Sequence, residues 1–129
     1  MKLLLVMLFS ISGVFAWDAA TEWKKNCSAC HSIGEGDKIG PDMAGVSKRR
    51  TKEWLVKFIQ YPSGMIEGDP EELGYEKPDP IAQKLYELYK PQIMGEQELD
   101  EEQIAQLLKY IKKESQGKNP KGKINKLLK

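Results

Sequence analysis

The thiol and imidazole chemistry of this 129-residue chain is confined to five consecutive residues, Cys27-Ser28-Ala29-Cys30-His31, which hold its only two cysteines and its only histidine. Two cysteines cannot build a disulfide framework, and two cysteines with one histidine fall short of the four ligands of a structural zinc cage. The three residues therefore act together, and the chain around them must fold to serve them. Directly after them Gly34, Gly36, Gly40-Pro41 and Gly45 break any regular periodicity, so this segment turns closely around something. With 40% apolar and 30% charged residues the chain reads as one soluble globular domain. Its formal charge of +1 supplies no field to recruit nucleic acid.

The first sixteen residues read as an address. Met1-Lys2 is a short basic start, Leu3 to Val14 is apolar or small, and Val14-Phe15-Ala16 offers the small residues of a signal-peptidase site. A permanent span needs about twenty apolar residues, and Trp17-Asp18 ends the run well short of that. Residues 1–16 are thus expected to be a signal peptide, leaving a formally neutral, exported chain with no stable membrane insertion after cleavage. An uncleaved anchor is the competing reading.

Four helices are legible in the remainder. Asp18 caps a first helix with Ala20, Trp23 and Cys27 on one side. Thr51 opens a second, with Trp54, Leu55, Phe58 and Ile59 on one face, that Pro62 and Gly64 should stop. Asp79-Pro80 opens a third with Ile81, Leu85, Leu88 and Tyr89 inward and Pro91 as its end. Asp100, with Gln103 three residues on, opens the strongest, striped by Ile104, Leu107, Leu108 and Ile111. No stretch alternates like a strand. Four helices with long glycine and proline connections make a thin core, so something else is needed in the middle. Neutrality hides two opposite segments: Glu67, Asp69, Glu71, Glu72, Glu76 and Asp79 are opposed by Lys77 alone, whereas Lys118, Lys121, Lys123, Lys126 and Lys129 stand without an acid. Residues 117–129 are expected to be a flexible basic tail.

Two cysteines three apart at a helix end, followed at once by histidine, form the attachment pattern of c-type haem. Each thiol can add to a vinyl group of the porphyrin, and the neighbouring imidazole can ligate iron through one nitrogen. The other ring nitrogen then needs an acceptor, for which a backbone carbonyl of the Gly40-Pro41 turn is the candidate. A disulfide, a thioredoxin-like pair and a zinc half-site compete; the second wants a βαβ pattern that is missing, and the third wants carboxylate ligands. With His31 the only histidine, the sixth iron position falls to a methionine or stays open. Met94, in a Gly95-containing connection ahead of the last helix, is the first candidate, before Met65 and Met43.

CSACH, Gly40-Pro41, Gly45-Val46, Arg49-Arg50, Trp54-Leu55 and Met94 ahead of DEEQIAQLLKYI together resemble a class I monohaem cytochrome c of the small bacterial kind, over residues 18 to about 114. The resemblance implies an all-α cytochrome c fold, with residues 17–116 wrapped around one covalent haem c and its iron. It implies attachment at Cys27 and Cys30, axial ligation by His31 and Met94, and the Pro41 carbonyl as acceptor for the histidine N–H. By the same analogy Arg49, Arg50 and Trp54 bond the haem propionates. The usual Met-Pro at the distal ligand is Met94-Gly95 here. The function so implied is that of a periplasmic carrier of single electrons without substrate chemistry of its own, docking briefly on redox partners: a dehydrogenase, an oxidase or a reductase. Two other readings stand beside it: the haem subunit of a larger oxidoreductase, and a gas-binding module if the sixth site is open.

Overall fold

The computed structural model describes residues 16–128. The expected signal peptide lies, but for Ala16, outside the described residues. Among these the chain is all helical, as expected.

Helix α1 (Ala19–Glu22) starts where the Asp18 carboxylate accepts the Thr21 N–H at 2.9 Å, and it widens into a π-helical turn over Trp23–Cys27. The Ser28 N–H closes that turn on the Trp23 carbonyl at 2.8 Å. Such wide turns recur at functional sites, and this one delivers the first cysteine. A single turn, α2 (Val46–Arg49), follows Gly45, whose φ of 66° only glycine adopts freely. Helix α3 (Lys52–Gln60) is capped by Thr51 as expected.

Pro62 does not merely end α3. It opens a further helix, α4 (Pro62–Glu67), where the ring occupies the first turn and its missing N–H costs nothing. Periodicity alone concealed this, because two short helices meeting at Tyr61 share no common stripe. Helix α5 (Pro80–Tyr89) is capped by Asp79, which accepts from both Ile81 and Ala82 at 2.9 Å. Ala82 and Tyr89 are its buried residues, and Leu85 faces a cavity. Helix α6 (Glu101–Glu114) has the full reciprocal cap: Gln103 N–H to Asp100 at 2.7 Å, and Asp100 N–H to Gln103 Oε1 at 3.0 Å.

The main core forms where α6 crosses α1 and packs on α2 and α3. Ile104, Leu107, Leu108 and Ile111 of α6 meet Trp23, Val46, Leu55 and Ile59. Ile104 is fully buried, a contribution of about 1.5–3 kcal/mol for a side chain of its size. A smaller cluster of Met65, Ile66 and Ala82 joins α4 to α5, with Phe58, Tyr75 and Tyr86 against it.

The C-terminal segment corrects an expectation. In place of a free tail, residues 118–128 return to the body of the molecule and end in a 3₁₀ turn, Lys123–Leu127, with Ile124 buried against α5. The lysines that marked it as a solvated tail hide an apolar trio, Ile124, Leu127 and Leu128, at helical spacing.

Candidate functional site

The π-helical turn hands the chain to a tight corner in which the Cys30 and His31 N–H groups both donate to the Cys27 carbonyl, at 3.1 and 3.0 Å. This puts Cys27, Cys30 and His31 on the wall of one cavity of about 280 Å³. Its remaining lining is mostly apolar and comes from both sides of the main core, including Leu55, Ile59, Leu107 and Leu108. These residues serve at once as core and as cavity wall.

His31 Nδ1 lies 2.8 Å from the Pro41 carbonyl oxygen. A carbonyl only accepts, so Nδ1 carries the proton and donates, which leaves the Nε2 lone pair free for a metal. Burial holds the imidazole below its ordinary range, with Lys38 adding to the effect and the Pro41 bond opposing it. The ring is therefore neutral at pH 7, the state a metal ligand needs. Burial also pushes the Cys27 thiol up to about 11, assisted by the charges of Glu22 and Cys30. Cys27 and Cys30 are not joined in a disulfide.

Gly40 explains how the ring is seated. Its N–H donates to the Cys30 carbonyl at 2.8 Å, and a Cβ there would lie 2.6 Å from His31 Cε1. The backbone must come this close for Pro41 to reach the ring, and only glycine permits it.

The loop carrying Gly40-Pro41 is itself tied by Asp42, a residue the sequence did not single out. Its fully buried carboxylate accepts four backbone N–H groups: Gly34 at 2.7 Å, Gly36 and Ala44 at 2.9 Å, and Lys121 at 3.1 Å. Burial raises its pKa, but those four donors outweigh it and hold the carboxyl below the usual range. The glycines flanking Asp42 were the available signal, since a short acid among glycines commonly gathers the N–H groups of its own loop.

Of the three candidate sulfurs, Met94 and Met43 line the cavity. Met65 does not; it is buried with Ile66 and Ala82 in the smaller cluster. Arg50 and Trp54 are in the lining, the guanidinium 5.5 Å from the centre of the indole ring, and Trp54 stacks on Phe58 at 5.0 Å. Arg49 lines the cavity too, while its guanidinium donates to the Asp42 carbonyl at 3.1 Å and to the Ala44 carbonyl, bracing the loop.

The cavity has the chemistry of a haem site. Its walls are apolar, a neutral imidazole with a free nitrogen and two thioether sulfurs line it, and Trp54 Nε1 is a buried donor without a partner in its lining. A buried indole N–H wants an acceptor, which a propionate supplies. Trp17 Nε1 is buried and unpartnered too, but lies outside the lining. Among the described residues no group of three or more His, Cys, Asp or Glu side chains could hold a metal ion.

Comparison with known proteins decides the family. The family model for cytochrome c matches residues 18–115. The chain belongs to the cytochrome c family. Two similar solved structures are bacterial: a cytochrome c from Rhodothermus marinus, 25% identical over 78% of this chain and 76% of that one, with a TM-score of 0.63, and the cytochrome c domain of a Pseudomonas putida protein, 26% identical over 77% and 89%, with a TM-score of 0.58. An engineered Rhodothermus marinus cytochrome c bound to a carbene intermediate, 24% identical over 76% and 74% with a TM-score of 0.57, shares the fold. No curated protein matches the chain at a significant level. As a cytochrome c the chain carries covalent haem c with iron and works in electron transfer.

Proposed function

We propose that this cytochrome c is a periplasmic carrier of single electrons, with thioether attachment at Cys27 and Cys30 and axial ligation by His31 Nε2 and the Met94 sulfur. The observation that carries the reading is the His31–Pro41 bond at 2.8 Å inside a cavity that both cysteines and Met94 line. Haem, when bound, supplies a one-electron iron couple.

The residues of the chain set how that couple behaves. The Pro41 carbonyl fixes the ring of His31 and its tautomer, keeping Nε2 aimed into the cavity. Met94 and His31 would hold the iron together, and a thioether ligand would favour ferrous iron over a second nitrogen and so raise the reduction potential. Were His31 and Met94 both to hold the iron, no position on it would be left for a substrate, as a carrier without substrate chemistry requires. Leu55, Ile59, Leu107 and Leu108 exclude water from the interior and, being close-packed, move little when charge changes. Arg50 and Trp54 are the donors for the propionates.

Export is supported by the Met1–Ala16 leader pattern, and no helix among the described residues is long and apolar enough to cross a membrane. The partners are redox proteins, a dehydrogenase on one side and an oxidase or reductase on the other, met by brief docking because a carrier must release each in turn. Nucleic acid is not among them.

The test is the visible spectrum of the mature protein. The oxidised form should show the red band of methionine sulfur on ferric iron. Met94→Ala should abolish that band, lower the reduction potential and open the ferrous iron to carbon monoxide, while Met65→Ala keeps band and potential. If Met94→Ala leaves all three unchanged and Met43→Ala removes the band, the axial sulfur is that of Met43. If the native protein lacks the band and binds carbon monoxide directly, the chain is a gas-binding module.

A further inference from the structure

The family match stops at residue 115, but the ordered chain does not. Beyond Gly117 the backbone is drawn back to the loop after the attachment motif by two carboxylates. Asp42 Oδ2 accepts the Lys121 N–H at 3.1 Å, and Asp37 Oδ2 accepts the Lys123 N–H at 2.8 Å. The other oxygen of Asp37 accepts the Tyr89 hydroxyl at 2.8 Å, and the Lys123 ammonium sits 4.6 Å from the centre of the Tyr89 ring. Gly122 has a φ of 94°, and a Cβ there would run into the Asp37 carboxylate, so the approach itself requires glycine. These ties place Ile124, Leu127 and Leu128 in the lining of the same cavity that holds the cysteines and His31.

We infer that residues 118–128 are a built wall of the haem chamber, held shut by Asp37 and Asp42 as positioning residues, and that this wall limits how readily water and small ligands enter to displace Met94 from the iron. The inference rests on the proposed occupation of the cavity by haem. Three observations converge on it. The segment turns its apolar residues to the cavity, with Ile124 buried and Leu128 still 48% exposed, while Lys121, Lys123 and Lys126 are exposed. The latches join parts of the chain some eighty residues apart, so they are not local turn chemistry. Asp42 is shared, since one carboxylate fastens both the loop that presents Pro41 to His31 and the end of the wall. A segment fastened by a few hydrogen bonds opens by local unfolding far more often than the whole protein does, so the strength of the latches sets the frequency of opening.

The experiment compares the matured full-length protein with a chain ended after Gly117 and with Asp37→Ala and Asp37→Asn in the full chain. It reads cyanide binding to the ferric iron, the reduction potential, and hydrogen exchange at the Lys121 and Lys123 amides. Shortening should speed cyanide binding by about tenfold or more and lower the potential, as water gains the chamber. Asp37→Ala should act in the same direction and unprotect the Lys123 amide. Asp37→Asn, which keeps one accepting oxygen of two, should fall between it and the native protein. Cyanide rates within about twofold of native in both the shortened chain and Asp37→Ala would overturn the inference while leaving the proposed function standing. If the shortened chain does not mature, the Asp37 pair decides alone by the same criterion. A native protein without a c-type spectrum would overturn the proposed function, and this inference with it.

Discussion

Two long loops of this cytochrome c are each gathered by one aspartate, and they differ in what surrounds the carboxylate. Between His31 and Gly45, Asp42 is fully buried and accepts four N–H groups, one of them from the far end of the chain. Between Glu67 and Asp79, Asp69 lies near the surface and accepts the Tyr61 hydroxyl at 2.8 Å and the Glu71 N–H at 3.0 Å. The first loop carries Pro41 to the histidine; the second lines no part of the cavity, and its Leu73 stands 88% exposed. The same device thus makes a rigid scaffold where water is shut out and only a tidy surface turn where water can replace each bond.

Asp42→Ala puts that contrast under the greatest strain. Four buried donors would lose their acceptor, and the loss should be about 3 kcal/mol or more, read as a drop in the denaturation midpoint of the mature protein. The spectrum should change with it, because the loop holding Pro41 loosens. A variant as stable as the native protein would mean that water substitutes for the carboxylate and that the burial argument fails.

Gly40→Ala comes next. The added methyl cannot coexist with the His31 ring in its present seat, so about 1–3 kcal/mol of stability should go, together with a shift in the potential as the imidazole turns away from Pro41. An unshifted potential would show that the ring tolerates a different seat.

Acid titration separates the loops without mutation. The four N–H donors hold the folded pKa of Asp42 below the ordinary carboxylate value, so its contribution to stability is complete above that ordinary value and is lost as pH falls through the lower folded pKa. In unfolding followed from about pH 5 to about pH 2, part of the loss of stability should vanish in Asp42→Asn, which has no carboxyl to protonate. An identical acid profile in the two proteins would count against Asp42 as the buried tie.

Asp69→Ala should do least. The Tyr61 hydroxyl and the Glu71 N–H turn to water, so the midpoint should fall less than in Asp42→Ala, and spectrum and potential should stay native. A potential that moved with Asp69 would show that the acidic loop communicates with the site.

The same physics decides how much of the molecule was legible in the sequence. The caps Asp18, Thr51, Asp79 and Asp100 were legible because each places a short acceptor just ahead of an apolar period, and the α6 stripe because it runs long enough to repeat. Cys27, Cys30 and His31 were legible because no other thiol or imidazole competes with them. The turn α2 and the helix α4 were not, being too short to show a repeating amphipathic pattern. Asp42 was hidden because the work of a buried carboxylate shows only when its donors are seen in space, and one of them lies 79 residues away. The packed C-terminal segment was hidden by its own composition: five lysines outweigh three apolar residues in any average, but the three are what meet the cavity.

The whole reading of the site depends on one porphyrin being joined to the sulfurs of Cys27 and Cys30, and intact-mass analysis with thiol alkylation decides whether it is. Protein matured in a host that attaches haem should weigh the mature polypeptide plus one haem and take up no alkylating reagent. A bare polypeptide with two reactive thiols would contradict that attachment and the function built on it.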